Sequence, residues 1–200
     1  MNREAVMKRM RGFVKQRFSE DYTGHDFFHM LRVAEWSKKL ADAEGADPLL
    51  SETAGLLHDL GDHKLSGDPT QDFLERDHLL AEVGFSKDEI VQVSEAIATV
   101  SYSKGEIPSS LLGKVVQDAD RLDAIGAIGI ARTFAYGGAR QQPIYNDSNG
   151  NTSLSHFHEK LLKVVTLMNT ESGRKEAKHR HQFMVKYVEE FKREWSILSD

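Results

Sequence analysis

PLLSETAGLLHDLG, residues 48–61, is the stretch on which the reading of this chain turns. Asp47 stands just before it as an N-cap carboxylate, and Pro48 occupies the first helical position, where its missing N–H costs nothing. The residues from Leu49 to Leu60 continue as one apolar helix, which stops at Gly61. At its end an imidazole and a carboxylate, His58 and Asp59, follow Ala54-Gly55-Leu56-Leu57 directly. Polar groups placed behind a buried run are costly to desolvate without partners. A metal ion satisfies both; a polar helix end with Asp59 capping a neighbouring element is the plain alternative.

Helical periodicity extends in both directions from this segment. Val6, Met10, Phe13, Val14 and Phe18 define a first helix with one apolar face, and Asn2 is placed to cap it. Gly24 separates it from a second helix whose buried stripe is read as Phe28, Leu31, Val33, Trp36 and Leu40, ending at Gly45. Segment 64–71 reads as a polar loop, followed by a helix near 72–83. Ser86 and Glu89 form a capping box for a helix through Ile97. Residues 101–109 read as a loop, and one long helix covers LLGKVVQDADRLDAIGAIGIARTFAY, residues 111–136. A long loop spans 137–152, and two helices, about 153–170 and 173–196, close the chain. No β-type alternation appears, so the expected fold is all-α, a single-domain helical bundle over residues 1–200.

Bulk properties bound the function. The 200 residues are 40% hydrophobic and 28% charged, ordinary values for a globular chain. A net charge of −5 argues against a dedicated nucleic-acid surface and leaves room for a local basic pocket. There is no cysteine, so disulfides, thiolate nucleophiles and zinc–thiolate sites are excluded, and any metal is held by nitrogen and oxygen. The N-terminal residues lack an apolar signal-peptide stretch, and the longest apolar run, residues 124–131, falls far short of a membrane span. The expectation is a soluble, cytoplasmic protein with neither nucleic acid nor membrane as partner.

Two further polar interruptions join His58 and Asp59. His29 lies on the second helix among Phe28, Met30 and Leu31. Asp118, Asp120 and Asp123 interrupt an otherwise apolar helix. Asp118 and Asp120 lie about 200° apart around it and cannot share a face, whereas Asp120 and Asp123 can. His25-Asp26 is another His-Asp pair, but it precedes a helix rather than ending one.

The order His29, His58-Asp59, Asp120, in the contexts HDFFHMLRV, GLLHDLGDHK and VVQDADRLDAIGAIGIARTF, resembles the HD-domain phosphohydrolase superfamily, in particular its small bacterial members, over roughly residues 20–140. The resemblance implies that His29, His58, Asp59 and Asp120 ligate one divalent ion. Ala119-Asp120 with Leu122 matches the family's final motif. Asp26 then caps the helix or forms an outer bond, while His25 is a candidate substrate contact. Two imidazoles and two carboxylates suit manganese, cobalt, nickel, iron or zinc better than magnesium. Only His63 and His78 fall between the His-Asp pair and the last aspartate, so a single ion is expected.

Asp62, four residues after His58, is the candidate general base. Arg32, one turn beyond His29, together with His63 and Lys64, supplies candidate catalytic cations, and Arg121 is a candidate substrate ligand. The implied activity is hydrolysis of a phosphorylated small molecule, a nucleotide in the leading reading, with a triphosphate giving monophosphate and pyrophosphate. A nucleoside 5′-monophosphatase, a cyclic-nucleotide or alarmone hydrolase, and a non-catalytic nucleotide sensor are the alternatives. His156 and His158, two residues apart, face different ways on a helix and form no joint site, and His179 and His181 read as a solvated helix face. Phe183, Val185, Tyr187, Val188 and Phe191 form a packing stripe, either core or a homodimer contact.

Overall fold

A computed structural model describes residues 3–18, 24–61, 67–100, 105–146 and 150–198. Among them all regular structure is helical. The elements are α1 (Arg3–Arg17), α2 (Phe27–Glu44), α3 (Pro48–Leu57), α4 (Pro69–Glu82), α5 (Lys87–Ala98), α6 (Leu111–Asp123), α7 (Gly126–Ala139), α8 (Ser155–Glu159), a 3₁₀ helix (Leu161–Leu167), α9 (Glu171–Trp195) and a short 3₁₀ turn (Ser196–Leu198). None is long and apolar enough to cross a membrane. The Asn2 cap lies outside the described residues.

The chain forms two compact units. The first holds α1 to α5 and α6 as far as Asp120, and the second runs from Arg121, with Gly24. In the first, α3 is the central element, and every residue from Leu50 to Leu57 is buried. A helix enclosed on all sides explains its unbroken apolar character. Its start follows the Asp-Pro signal: the Asp47 carboxylate accepts from the N–H groups of Leu49 and Leu50. Around it pack α1, α2 and α5, with Met10, Val14, Met30, Leu56, Leu57, Leu80 and Val93 in one continuous core. Glu52, 3% exposed on α3, accepts from Arg3 and Arg11 of α1. The Ser86–Glu89 capping box closes the start of α5 in both directions.

The α2 stripe differs from the expected one. Phe28 is 64% exposed, and the buried face is His29, Met30, Val33, Ala34, Ser37, Leu40 and Ala41. The small residues are there because α3 comes close. A Cβ on Gly55 would lie 2.4 Å from Ser37 Oγ and 3.0 Å from the Val33 carbonyl oxygen. Bulk was the wrong guide to burial at this crossing.

Three boundaries also differ. α4 begins at Pro69, inside the expected loop, with Asp68 accepting from the Gln71 N–H. Asp68-Pro69 repeats the start signal of Asp47-Pro48. The single helix expected over residues 111–136 is two. Gly126 takes φ +79° and a Cβ on Gly129 would meet the Ala124 carbonyl carbon and oxygen, so this turn requires both glycines. α7 then continues to Ala139, shortening the expected 137–152 loop. The helix expected over about 153–170 is instead a five-residue α8 and a 3₁₀ helix, while α9, capped by Thr170, is the long closing helix expected over about 173–196.

The second unit packs α7 and the 3₁₀ helix against α9. Phe134, Phe157 and Tyr187 form a ring cluster that continues through the Tyr187–Phe191 contact to Tyr145 and Trp195. Met184 and Val188 are the buried residues in the C-terminal half of α9; Phe183, expected in the stripe, is half exposed.

Candidate metal centre

His29 is the third residue of α2. Its position is set by Asp26, the N-cap, whose carboxylate accepts from the His29 N–H at 2.7 Å. Capping is thus the role Asp26 plays. His58 is the C-cap of α3, held by a 2.9 Å hydrogen bond from its Nδ1 to the Gly55 carbonyl. Asp59 follows in the turn that ends at Gly61. There φ is +77° and Phe73 of α4 lies against the Cα, leaving no room for a side chain. Asp120 sits in the last turn of α6. The carbonyls at that helix end are taken by guanidinium groups: Arg180 donates to Leu122, and Arg132 donates to the Asp123 carbonyl and carboxylate.

These elements bring four side chains together. His58 Nε2 lies 3.2 Å from Asp59 Oδ1 and 3.6 Å from Asp120 Oδ1. His29 Nε2 lies 3.6 Å from Asp59 Oδ2 and 3.6 Å from Asp120 Oδ1. Both imidazoles are fully enclosed, and their ring centroids stand 5.1 Å apart. Neighbouring donors that share an ion at about 2.1 Å lie about 3.0–3.4 Å apart, the spacing of adjacent corners of an octahedron or tetrahedron. The observed separations suit that arrangement.

The electrostatics point the same way. Because His58 donates through Nδ1, its neutral ring turns the Nε2 lone pair toward two carboxylates. That nitrogen makes no hydrogen bond among the described residues. A cation between them removes the repulsion, and without a metal a proton serves. Burial of the ring lowers the His58 pKa, but the Asp59 and Asp120 carboxylates outweigh it and lift it to about 9. Burial alone would raise both carboxyls. The surrounding histidines, His58 foremost, instead hold Asp59 and Asp120 below the usual carboxylate range. The opposite shifts are one interaction seen from its two sides, imidazole against carboxylate in a buried cluster. A cleft of about 290 Å³ opens at Asp59 and Leu60 and runs to Asp68, Asp72 and Glu75, the last two paired with Arg17, so its lining is mainly acidic.

The other expected residues divide. Arg32 is half-buried one turn after His29. Asp62, His63 and Lys64 lie outside the described residues. Arg121 is 8% exposed and donates to the Leu167 carbonyl within the second unit. Asp118 is fully buried and Asp123 is paired with Arg132, so Asp120 is the aspartate of that helix at the cluster. His25 lies at the cluster, its Nδ1 2.9 Å from Asp59 Oδ2.

Sequence reasoning missed two supports. The Gly55 carbonyl orients His58 from three residues back, a local bond that the spacing does contain. Gln117, three residues before Asp120, donates to the carbonyls of Thr99 and Glu106, two distant points no local pattern connects.

Comparison with known proteins identifies the pattern. The HD domain matches residues 26–125. The Bacillus subtilis protein YpgQ is 37% identical over 191 residues, spanning 94% of this chain and 92% of its own. The crystal structure of YpgQ in complex with ADP superposes with a TM-score of 0.81 at 36% identity, covering 94% of this chain and 96% of that one. An HD-superfamily hydrolase from Bacillus thuringiensis superposes with a TM-score of 0.82 at 39% identity, over 98% and 99% of the two chains.

Proposed function

The chain belongs to the HD-domain family and is a metal-dependent phosphohydrolase, and from that premise we propose that it cleaves nucleotides, a nucleoside triphosphate giving the monophosphate and pyrophosphate. The observation that carries the reading is the convergence of two buried imidazoles and two carboxylates, from α2, the end of α3 and α6, on one point. The ADP complex of YpgQ supports the nucleotide class.

In this reading His29, His58, Asp59 and Asp120 hold one divalent ion. The donor set favours manganese, cobalt, nickel, iron or zinc over magnesium, which prefers oxygen and keeps its waters. When bound, such an ion draws in a phosphoryl oxygen and lowers the pKa of a water. Around it the protein performs the remaining tasks. Gly55 keeps the His58 Nε2 turned inward. Arg32 and Lys64, with His63, offset the negative charge of the phosphate chain. Arg121, occupied at Leu167, is given no substrate role. Water adds to the α-phosphorus, and the bond to the α–β bridging oxygen breaks. Pyrophosphate leaves with that electron pair, and the water's proton passes to a base, for which Asp62 is the candidate.

The test is metal analysis with a panel of nucleotides, measuring pyrophosphate and orthophosphate separately, with manganese, cobalt and nickel supplied in turn. Pyrophosphate from triphosphates supports the reading, and orthophosphate from monophosphates alone replaces it with a phosphatase. Asp59→Ala abolishes turnover and lowers bound metal, because it removes a ligand carboxylate. Turnover at the parent rate in that variant, or tight nucleotide binding without product under every metal, refutes the catalytic reading.

A further inference from the structure

We propose that His25 is a positioning residue of the metal centre, holding Asp59 in its ligating orientation through an Nδ1–H···Oδ2 hydrogen bond, rather than a contact to substrate. The inference rests on Asp59 being a ligand, as proposed above, but not on which phosphate ester is cleaved.

The Asp59 carboxylate is shared by three histidines. Oδ1 faces His58 Nε2 at 3.2 Å, while Oδ2 faces His29 Nε2 at 3.6 Å and His25 Nδ1 at 2.9 Å. Of these, the His25 contact has clear hydrogen-bond length. An ionised carboxylate only accepts, so His25 Nδ1 bears the proton and cannot simultaneously present a lone pair to an ion. His25, His29 and Asp59 are also close enough to be read as a metal triad of their own. That triad competes with the deeper one. The same nitrogen of His29 faces both Asp59 and Asp120, and one lone pair serves one ion. His58, with Nδ1 committed to Gly55, presents its remaining nitrogen to the deeper set. His25 is left as the outer partner.

The backbone prepares it for this. Gly24 takes φ +102°, and Asp26 is locked as the α2 N-cap, so the residue between them is aimed by its neighbours on both sides. The His25 ring meets His29 edge-on, with centroids 5.3 Å apart. An outer hydrogen bond of this kind stops the carboxylate from rotating away and is worth about 10–100-fold in metal affinity.

The full-length protein, stripped with chelator, is titrated with Mn²⁺ alone, and free ion is followed by electron paramagnetic resonance. His25→Ala is expected to weaken the Mn²⁺ affinity by about 10–100-fold. His25→Asn, which keeps an N–H donor near the Nδ1 position, recovers most of the loss, and both stripped variants melt with the parent. At saturating Mn²⁺ the substrate KM of both stays at the parent value. Mn²⁺ affinity within twofold of the parent in His25→Ala overturns the proposal by itself, and a raised substrate KM beside it assigns His25 to a substrate contact. Failure of asparagine to outperform alanine also overturns it, because the donor is then not what matters. Since the titration contains no nucleotide, a wrong substrate assignment leaves its outcome unchanged.

Discussion

Replacing Gly55 by alanine tests whether the closeness of α2 and α3 is what builds the metal centre. The added methyl would sit 2.4 Å from Ser37 Oγ, 3.0 Å from Ser37 Cβ and 3.0 Å from the Val33 carbonyl. The hydroxyl can rotate away, and it makes no hydrogen bond among the described residues to hold it. The Cβ and the backbone oxygen cannot. Ordinary contact begins at 3.4 Å, so the helices must part by about 0.4 Å. Overpacking costs about 1–3 kcal/mol, and alanine returns roughly 1 kcal/mol of helix propensity. The net expectation is about 1 kcal/mol of destabilisation, a fall of roughly 2–4 °C in Tm for a chain of this length. His29 and His58 ride on these two helices, so their separation grows with it. Mn²⁺ affinity should fall by about tenfold, in the range seen when support for a ligand is lost. Calorimetry on the metal-free protein and Mn²⁺ titration read the two effects separately. Adding Ser37→Gly removes both side-chain obstacles but leaves the Val33 carbonyl at 3.0 Å, so it restores the affinity only in part, and its own helix cost of about 1 kcal/mol keeps Tm low. A Gly55→Ala protein that melts at or above the parent and binds Mn²⁺ equally well refutes the reasoning.

The metal-free protein should lose stability in alkali. The folded pKa of His58 is raised to about 9, above the ordinary 6.5, so its contribution is complete below pH 6.5 and disappears as pH rises through 9. The most it can supply is about 3 kcal/mol. Saturating Mn²⁺ should reverse the trend, because the ion takes the proton's place; calorimetry at pH 6 and pH 9.5, with and without Mn²⁺, decides it. Glu52→Gln removes the buried charge that Arg3 and Arg11 share; since both arginines are about 40% exposed and can turn to solvent, a loss of only about 1–2 kcal/mol is expected by urea melts. Gln117→Leu leaves the Thr99 and Glu106 carbonyls without this donor. We expect about 1–3 kcal/mol of destabilisation and faster proteolysis within residues 99–109. Ser86→Ala breaks the capping box of α5 at a cost of about 1 kcal/mol, read by thermal melts, with Mn²⁺ affinity unchanged.

Much of this molecule is written in short-range pattern. Asp47-Pro48, Ser86 with Glu89, and Gly45 mark helix ends through bonds to residues within a few positions, and the structure has each of them. Asp68-Pro69 carries the same signal, but Gly67 and its polar neighbours make the segment read as a loop. The AIGAIGIA run misled in the opposite direction, since continuous apolarity concealed the turn that Gly126 and Gly129 make possible.

The four residues proposed as ligands were legible for a different reason. Their order and flanking residues match a family, and spacing alone would have left each with an ordinary structural reading. What no local pattern contains is how the ends of three helices come to face one point. That depends on Gly55 lying against Ser37, on Asp123 being drawn to Arg132 while Asp120 is left at the cluster, and on His25 reaching Asp59 across 34 positions. Helix caps and apolar faces are set by neighbours along the chain. Convergence is set by residues that meet only after α2 and α3 have packed, and side-chain size and charge decide it there.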